Sequence, residues 1–440
     1  MGFSDHARET FRCGLKLILI CFWQNLVHIM LAIGRRLCTL NRKAPTLTMK
    51  YKLHKTSRLY GAGGFYDQQT PLADIEDIAD DRAWQISELA EVYPMESYSR
   101  PASNILTSDP AFRDIMDALS SDISRDYRLV PPSLALEIRN CIIHDNIIYL
   151  VEDDGLSILY TTCRDHDRPH IRLLNEEQGV VTADTYLNDG RRLVYMTSAA
   201  SFNYGHWLID DLPRIKFLLD TPCPTTLVLQ ASSAVDKARL ESIDFFTQGL
   251  DIRIVLIDKK DIVACDAIIH VTPVSYHPVI KSGPALHFIR DFADRHLPMP
   301  RKDFSKIFVR RRQSRSRALV NMSEVEAVVS AFGFTIIDPE DYTFVEQAEI
   351  FRSASIVVGI MGASMCNTIF CAPHTHLIYL APNSWVEPFY WDMASQLQHE
   401  YIAIYGERQY ADDKAAFDNF AIDLDGLVAA VQAKLALNVS

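Results

Sequence analysis

From Lys306 to Leu380 apolar runs and turn signals alternate at short, even intervals, and this alternation limits the folds open to the chain. Lys306-Ile-Phe-Val309 reads as a strand. Ser323 and Glu326 have capping-box spacing ahead of Val325, Val328 and Val329, and Gly333 closes that helix. Phe334 to Ile337 is a second strand, stopped by Asp338-Pro339. Thr343 and Glu346 repeat the capping-box spacing before Val345, Ala348, Ile350 and Phe351. Ile356 to Val358 is a buried strand entering Gly359-Ile-Met-Gly362-Ala-Ser364, Met365 to Cys371 can form a helix, and Leu377 to Leu380 is a further strand. Strands alternating with helices predict an α/β fold, a parallel sheet covered on both faces, with ligands beyond the carboxyl ends of its strands.

The Gly359 to Ser364 turn falls at such an end. A glycine-bearing strand-to-helix turn offers backbone N–H groups and a positive dipole end to a phosphate. Its spacing is not the dinucleotide fingerprint. Gly362-Ala-Ser364-Met-Cys366 approaches a hydrolase nucleophile elbow but lacks the final glycine, so a hydrolase rests on Ser364 alone.

Ser201 to Arg214 is the densest chemical stretch, with an imidazole, two carboxylates, an aromatic pair and a guanidinium in fourteen positions. On a helix His206 and Asp210 lie one turn apart on one face, so the carboxylate can orient the imidazole. Pro213 places the segment near a helix start or a bend. The competing reading is a helix start with acidic capping residues and a buried His–Trp pair.

Arg301-Lys302, Lys306, Arg310-Arg311-Arg312, Arg315 and Arg317 form a basic run inside a chain of net charge −12. The positive density is therefore local. Guanidinium forks match phosphate oxygens bidentately and suit a diphosphate, whereas a solvated loop is the bland alternative. The acidic remainder would repel a nucleic acid.

At 440 residues the chain suits two domains. Apolar runs at Ile142-Ile143, Ile147 to Val151, Leu227 to Leu229, Ile252 to Ile257 and Ala267 to Val271 supply strands of the first, and Pro298-Met-Pro300 is a linker beside a cleft. The expected division is 1–48 as an apolar or amphipathic membrane-associated segment, 49–130 as a polar, loosely ordered lead-in, 131–297 as the first domain and 301–440 as the second. Leu15 to Ile33 is apolar but interrupted by Lys16, Gln24, Asn25 and His28, which fits an interfacial helix as well as a spanning one. It lacks a small-residue cleavage site, arguing against a secretory signal, and Met49 is an alternative start. Nine dispersed cysteines without a C-x-x-C pair point to reduced thiols and a cytosolic face. Glu152-Asp-Asp154 resembles a metal-binding acidic cluster but reads better as a turn, and the two ligands of His374-x-His376 alone make no site.

Asn203-Tyr-Gly-His206-Trp-Leu-Ile-Asp210-Asp211-Leu-Pro213-Arg214, the arginine segment ending in Asn321 and Glu324, Asp338-Pro-Glu340 with Glu346-Gln347, and Val358-Gly359 through Gly362-Ala363 to Asn367 together resemble glycosyltransferase family 61. The likeness runs from about Leu193 to Leu380. It implies a two-domain (GT-B) architecture, two Rossmann-like domains facing a cleft, and inverting hexosyl or pentosyl transfer from a nucleotide-diphosphate sugar without a cofactor or required metal. Its partners would be the nucleotide sugar and a saccharide or lipid-linked saccharide acceptor. Bacterial members imply capsule or exopolysaccharide synthesis in the cytoplasm, peripheral to or anchored in the inner membrane. His206, Asp210 and Asp211 are the expected catalytic cluster, and the spacing does not choose the base among them. Arg310, Arg311, Arg317, Glu346, Gly359, Gly362, Ala363, Ser364 and Asn367 are the expected donor site, led by Arg311 and Arg317. Glu346 has its capping role as a rival. Asn203, Tyr204, Trp207 and Arg214 are acceptor-binding or structural. One departure stands out: Met361 occupies a position where many members carry His, which supports the competing class, a sugar- or nucleotide-binding subunit without turnover.

Overall fold

Two sheets with parallel centres carry the chain in the computed structural model, which describes residues 37–38, 47–50, 85–125, 128–151, 156–162, 174, 180–276, 280–312, 317–410 and 417–437. The expected N-terminal helix, the Glu152-Asp-Asp154 cluster and Arg315 lie outside the described residues. Among the described residues no helix is long and apolar enough to cross a membrane.

The first sheet is built on Arg192–Tyr195, Thr225–Gln230, Ile252–Ile257 and Val263–Val271, which pair in parallel. Thr225–Gln230 is buried at every position, as expected of a strand covered on both faces. Ser133–His144 joins antiparallel to Val263–Val271 and continues into Ile147–Val151. The hairpin between them turns on Asp145 and Asn146, both at positive φ (42° and 68°). Short polar side chains tolerate that left-handed pair, whose twist matches the flanking strands.

The second sheet orders Thr335–Ile337, Lys306–Val309, Ile356–Ile360, His376–Pro382 and Glu400–Tyr410 in parallel, with Asn419–Ala421 antiparallel at one edge. Phe344–Ser353 starts on the expected Thr343–Glu346 capping box. The other expected box does not form: Met322–Ala331 begins at Asn321 without a side-chain cap, and Glu326 pairs with Arg310 instead. Gly333, at φ +75°, closes that helix as expected. The helix expected from Met365 to Cys371 is the tighter 3₁₀ run Ala363–Phe370.

Residues 85–125 correct the expectation of a loose lead-in from 49 to 130. Ile86–Tyr93 pairs with Ser133–His144 in the first sheet, and Ile105–Thr107 pairs in parallel with Glu400–Tyr410 in the second. Pro110–Arg125 is helical. Polar composition misled because Glu88 and Glu91 stay exposed while the backbone still pairs and Val92 and Tyr93 are buried. The lead-in thus joins both sheets before the chain returns to the first. Asp392, fully buried, adds a tie: it accepts from Tyr98 Oη (2.6 Å) and Lys281 Nζ (3.0 Å) and pairs with Arg100.

Candidate active site at the meeting of the strand ends

A cavity of about 540 Å³ opens where carboxyl ends from both sheets face each other. Asn203, Gly205 and His206, following strand Arg192–Tyr195, form one wall. Arg311 follows Lys306–Val309, Gly362 follows Ile356–Ile360, and Trp385 and Glu387 follow His376–Pro382 on the other. Parallel strands place loop residues together at this edge because all their carboxyl ends point one way.

The helical segment bearing His206 is irregular for a local reason. Tyr204–His206 is α-helical, Trp207–Asp211 is a π turn, and Leu212–Ile215 is 3₁₀. Pro213 has no N–H to give and its ring would clash with an ordinary helical carbonyl four residues back, so the wider turn precedes it. Asn203 caps the segment by accepting the Gly205 N–H at 2.8 Å. Within the π turn His206 Nδ1 and Asp210 Oδ2 are 2.7 Å apart. Ser275 Oγ donates to the other Asp210 oxygen, so the carboxylate is held before it holds the ring. With Nδ1–H given to Asp210, the lone pair that can take a proton resides on Nε2. Burial pulls the imidazole down, but the hydrogen bond and charge of Asp210, with Asp211 and Glu387 behind it, raise its pKa above the ordinary 6.5.

Asp211 has a different role from the one expected. It is fully buried, ion-paired to Arg214 Nη2 at 3.0 Å, and accepts hydrogen bonds from Ser198 and Ser201. It does not line the cavity, and burial raises its carboxyl pKa. Of the three expected catalytic residues, His206 and Asp210 are therefore paired beside the cavity, and Asp211 is held apart from it. Trp207 and Arg214 are core residues: the indole is fully buried, donates to Ser242 Oγ (2.9 Å) and lies under the Arg239 guanidinium, while Arg214 Nε donates to the Asp210 carbonyl.

Of the arginines, Arg311 and Arg317 line the cavity. Burial lowers both guanidinium pKa values, that of Arg317 to about 10, so both stay cationic at neutral pH. Arg317, at φ +56°, donates to the Met361 carbonyl and stacks 3.8 Å from the Trp385 ring centroid. Arg310 lies outside the cavity, exposed and paired with Glu326, and Arg312 is drawn to Asp338, Glu340 and Asp341. Alternate residues of an extended segment point to opposite sides, which separates Arg311 from its neighbours.

Gly362 and Ala363 line the cavity at the start of the 3₁₀ run. A Cβ on Gly362 would stand 2.9 Å from Arg311 Nη1, so the glycine admits the guanidinium. The remaining expected donor residues are elsewhere. Gly359 is a packing glycine whose Cβ would meet Met365 and Val309. Asn367 is fully buried, accepting from Tyr204 Oη (2.7 Å) and donating to Gln347 (2.8 Å), which makes Tyr204 structural too. Glu346 is exposed and spent on its capping box. Among the described residues no hydrogen bond joins Ser364 to an imidazole or carboxylate, so the nucleophile-elbow reading gains no support there. The Met361 side chain is buried in the core; only its carbonyl serves the site.

Sequence reasoning missed Trp385, Glu387, Phe389 and Tyr390, which complete the second wall. The signal was available: Trp385 to Trp391 concentrates four aromatics and one carboxylate just past a strand end. Among the described residues no group of three or more His, Cys, Asp or Glu side chains could hold a metal ion.

Fold and site together define an α/β protein with a cleft that pairs a carboxylate-supported imidazole with two buried guanidiniums. Residues 204–378 match the family model Glycosyltransferase 61, so this part of the chain is similar to a glycosyltransferase family. The matched span includes His206, Asp210, Arg311, Arg317 and Gly362 and ends before Trp385. No curated protein matches the chain.

Proposed function

We propose that this protein transfers a hexosyl or pentosyl group from a nucleoside-diphosphate sugar to a hydroxyl of a saccharide or lipid-linked saccharide acceptor, with inversion. The observation that carries the reading is the facing of His206 and the Arg311–Arg317 pair across one cavity. Its 540 Å³ lies in the range of small-molecule sites, roughly 300–1,000 Å³. In the reaction His206 Nε2 takes the acceptor hydroxyl proton as that oxygen bonds to the anomeric carbon. The bond from carbon to the phosphate oxygen breaks on the opposite face, and its electron pair leaves with the diphosphate. Arg311, Arg317 and the N–H groups at the Gly362 turn stabilise that charge, a role in which preorganised donors are effective because they need no rearrangement. Asp210 keeps the imidazole in the right tautomer and stabilises its protonated form.

On this reading the first sheet belongs to the acceptor side and the second to the donor side of a GT-B arrangement. The arginines supply positive charge at the diphosphate, so the step as drawn calls on no cofactor. Synthesis of a bacterial capsule or exopolysaccharide at the cytoplasmic face of the inner membrane is the cellular setting that the family suggests. Binding without turnover has Met361 in its favour only if that side chain were needed at the site, and its burial in the core removes that support.

Thermal stabilisation by a panel of nucleoside diphosphates and their sugars, with and without divalent metal, tests the reading. His206→Ala should abolish transfer and keep nucleotide binding, whereas Arg311→Ala should weaken binding itself. Stabilisation by none of the panel would overturn it.

A further inference from the structure

We infer that Glu387 is the residue that recognises the donor sugar, accepting hydrogen bonds from hydroxyls of a neutral sugar and excluding a sugar that carries its own carboxylate there. This rests on the donor reading above and names the substrate class that the same site would take.

Among the described residues Glu387 is the only carboxylate lining the cavity. Its position is fixed: Oε1 accepts the Phe389 N–H at 2.8 Å, at the start of helix Phe389–Gln396. The described residues make no other hydrogen bond or ion pair to this carboxylate, so Oε2 keeps its acceptor capacity. A carboxylate held at a helix N-terminus is stabilised as the anion. Burial outweighs this and raises the carboxyl pKa above the usual value, opposed by the Phe389 N–H and the charges of Lys281, His206 and Arg317.

The chemistry of the cavity divides the donor between its parts. A diphosphate is drawn to the guanidiniums and repelled by Glu387. A sugar has only hydroxyl donors to offer, and a carboxylate presents two acceptor oxygens to them. Phe389 lies two residues on, lines the same cavity, and carries Lys281 Nζ 4.1 Å from its ring centroid on a buried lysine, which fixes the ring. An acceptor oxygen beside a fixed aromatic face suits a neutral polyol, which has both hydroxyls and an apolar C–H face. A uronic acid would set two carboxylates against each other in a partly desolvated site, which is strongly unfavourable.

The test measures affinities of UDP, GDP, UDP-glucose, UDP-xylose, GDP-mannose and UDP-glucuronate for wild type, Glu387→Gln and Glu387→Ala by calorimetry. Expected for both variants is an affinity for the preferred free nucleoside diphosphate that is unchanged or raised and a loss of about tenfold for its neutral sugar conjugate, the scale of a lost charged hydrogen bond. The gap between UDP-glucose and UDP-glucuronate should narrow in Glu387→Gln. Equal loss for diphosphate and sugar conjugate, or no loss for either, would overturn the inference while leaving the donor reading intact. A shifted pH profile of transfer with unchanged donor affinity would also overturn it, assigning Glu387 to proton transfer. Wild type that binds none of the six would take down both readings together.

Discussion

Gly205 and Cys366 meet across the seam between the two sheets, so closely that a Cβ on Gly205 would stand 2.8 Å from the Cys366 Sγ and 3.3 Å from the Ala363 Cα. One belongs to the segment that presents His206, the other to the 3₁₀ run that begins at the Gly362 turn. Imidazole and guanidiniums share a cavity because a hydrogen atom, and nothing larger, separates their supports.

Gly205→Ala should therefore cost stability and activity together. Overpacking of this kind typically costs about 1–3 kcal/mol, and the displacement acts directly on His206. Adding Cys366→Ala removes the closer obstacle and should restore part of both, leaving the contact with the Ala363 backbone. Urea unfolding midpoints and transfer rates of the two single variants and the double variant measure this coupling; simple additivity would refute it.

Transfer should rise with pH along a limb lying above the ordinary histidine value of 6.5, because the His206 pKa is raised and the ring must be neutral to accept a proton. Asp210→Asn removes the main raising influence. The limb should move to lower pH and the maximum rate should fall, by up to the 10²–10⁴-fold roughly attributable to proton transfer. The same raised pKa gives a stability contribution fully present below the unfolded value of 6.5 and lost as pH rises through the folded value. A pH–rate profile of both proteins decides it, and an unmoved limb would remove His206 as the titrating base.

The adjacent carboxylates should separate cleanly by phenotype. Asp211→Ala strands the buried Arg214 guanidinium, a loss of about 3–5 kcal/mol for a broken buried pair. Asp210→Asn keeps the shape and should lose rate far more than stability. Melting temperatures set beside initial rates test this, and a thermally unaffected Asp211→Ala would contradict the assignment.

Gly362→Ala should weaken nucleotide binding with little effect on melting temperature, since the added methyl meets only the far end of the Arg311 side chain, at 2.9 Å, and is relieved by displacing the guanidinium from its position in the site. A charged hydrogen bond lost in this way corresponds to about tenfold in affinity. Arg310→Ala, outside the cavity, should leave affinity unchanged. Titration with the preferred nucleoside diphosphate compares the two, and a larger effect at Arg310 would invalidate the division of the arginines.

Local sequence determined what depends on local physics. The strands at Lys306–Val309, Ile252–Ile257 and Thr225–Gln230, the Thr343–Glu346 cap, the Gly333 stop and the i,i+4 approach of His206 to Asp210 all follow from side-chain periodicity and spacing within a few residues. Tertiary structure decided the rest. Asp210 and Asp211 are neighbours in sequence with the same side chain, yet one supports the imidazole and the other is buried with Arg214, because successive positions on a helical segment face different surroundings. Arg310 and Arg311 part in the same way along an extended segment. Glu346, expected at the donor site, is at its helix cap, and Glu387, which the sequence did not single out, lines the cavity, because cavity membership is set by which loops converge at the strand ends. That convergence is a property of sheet order and of the close approach at Gly205, and no window of sequence contains it.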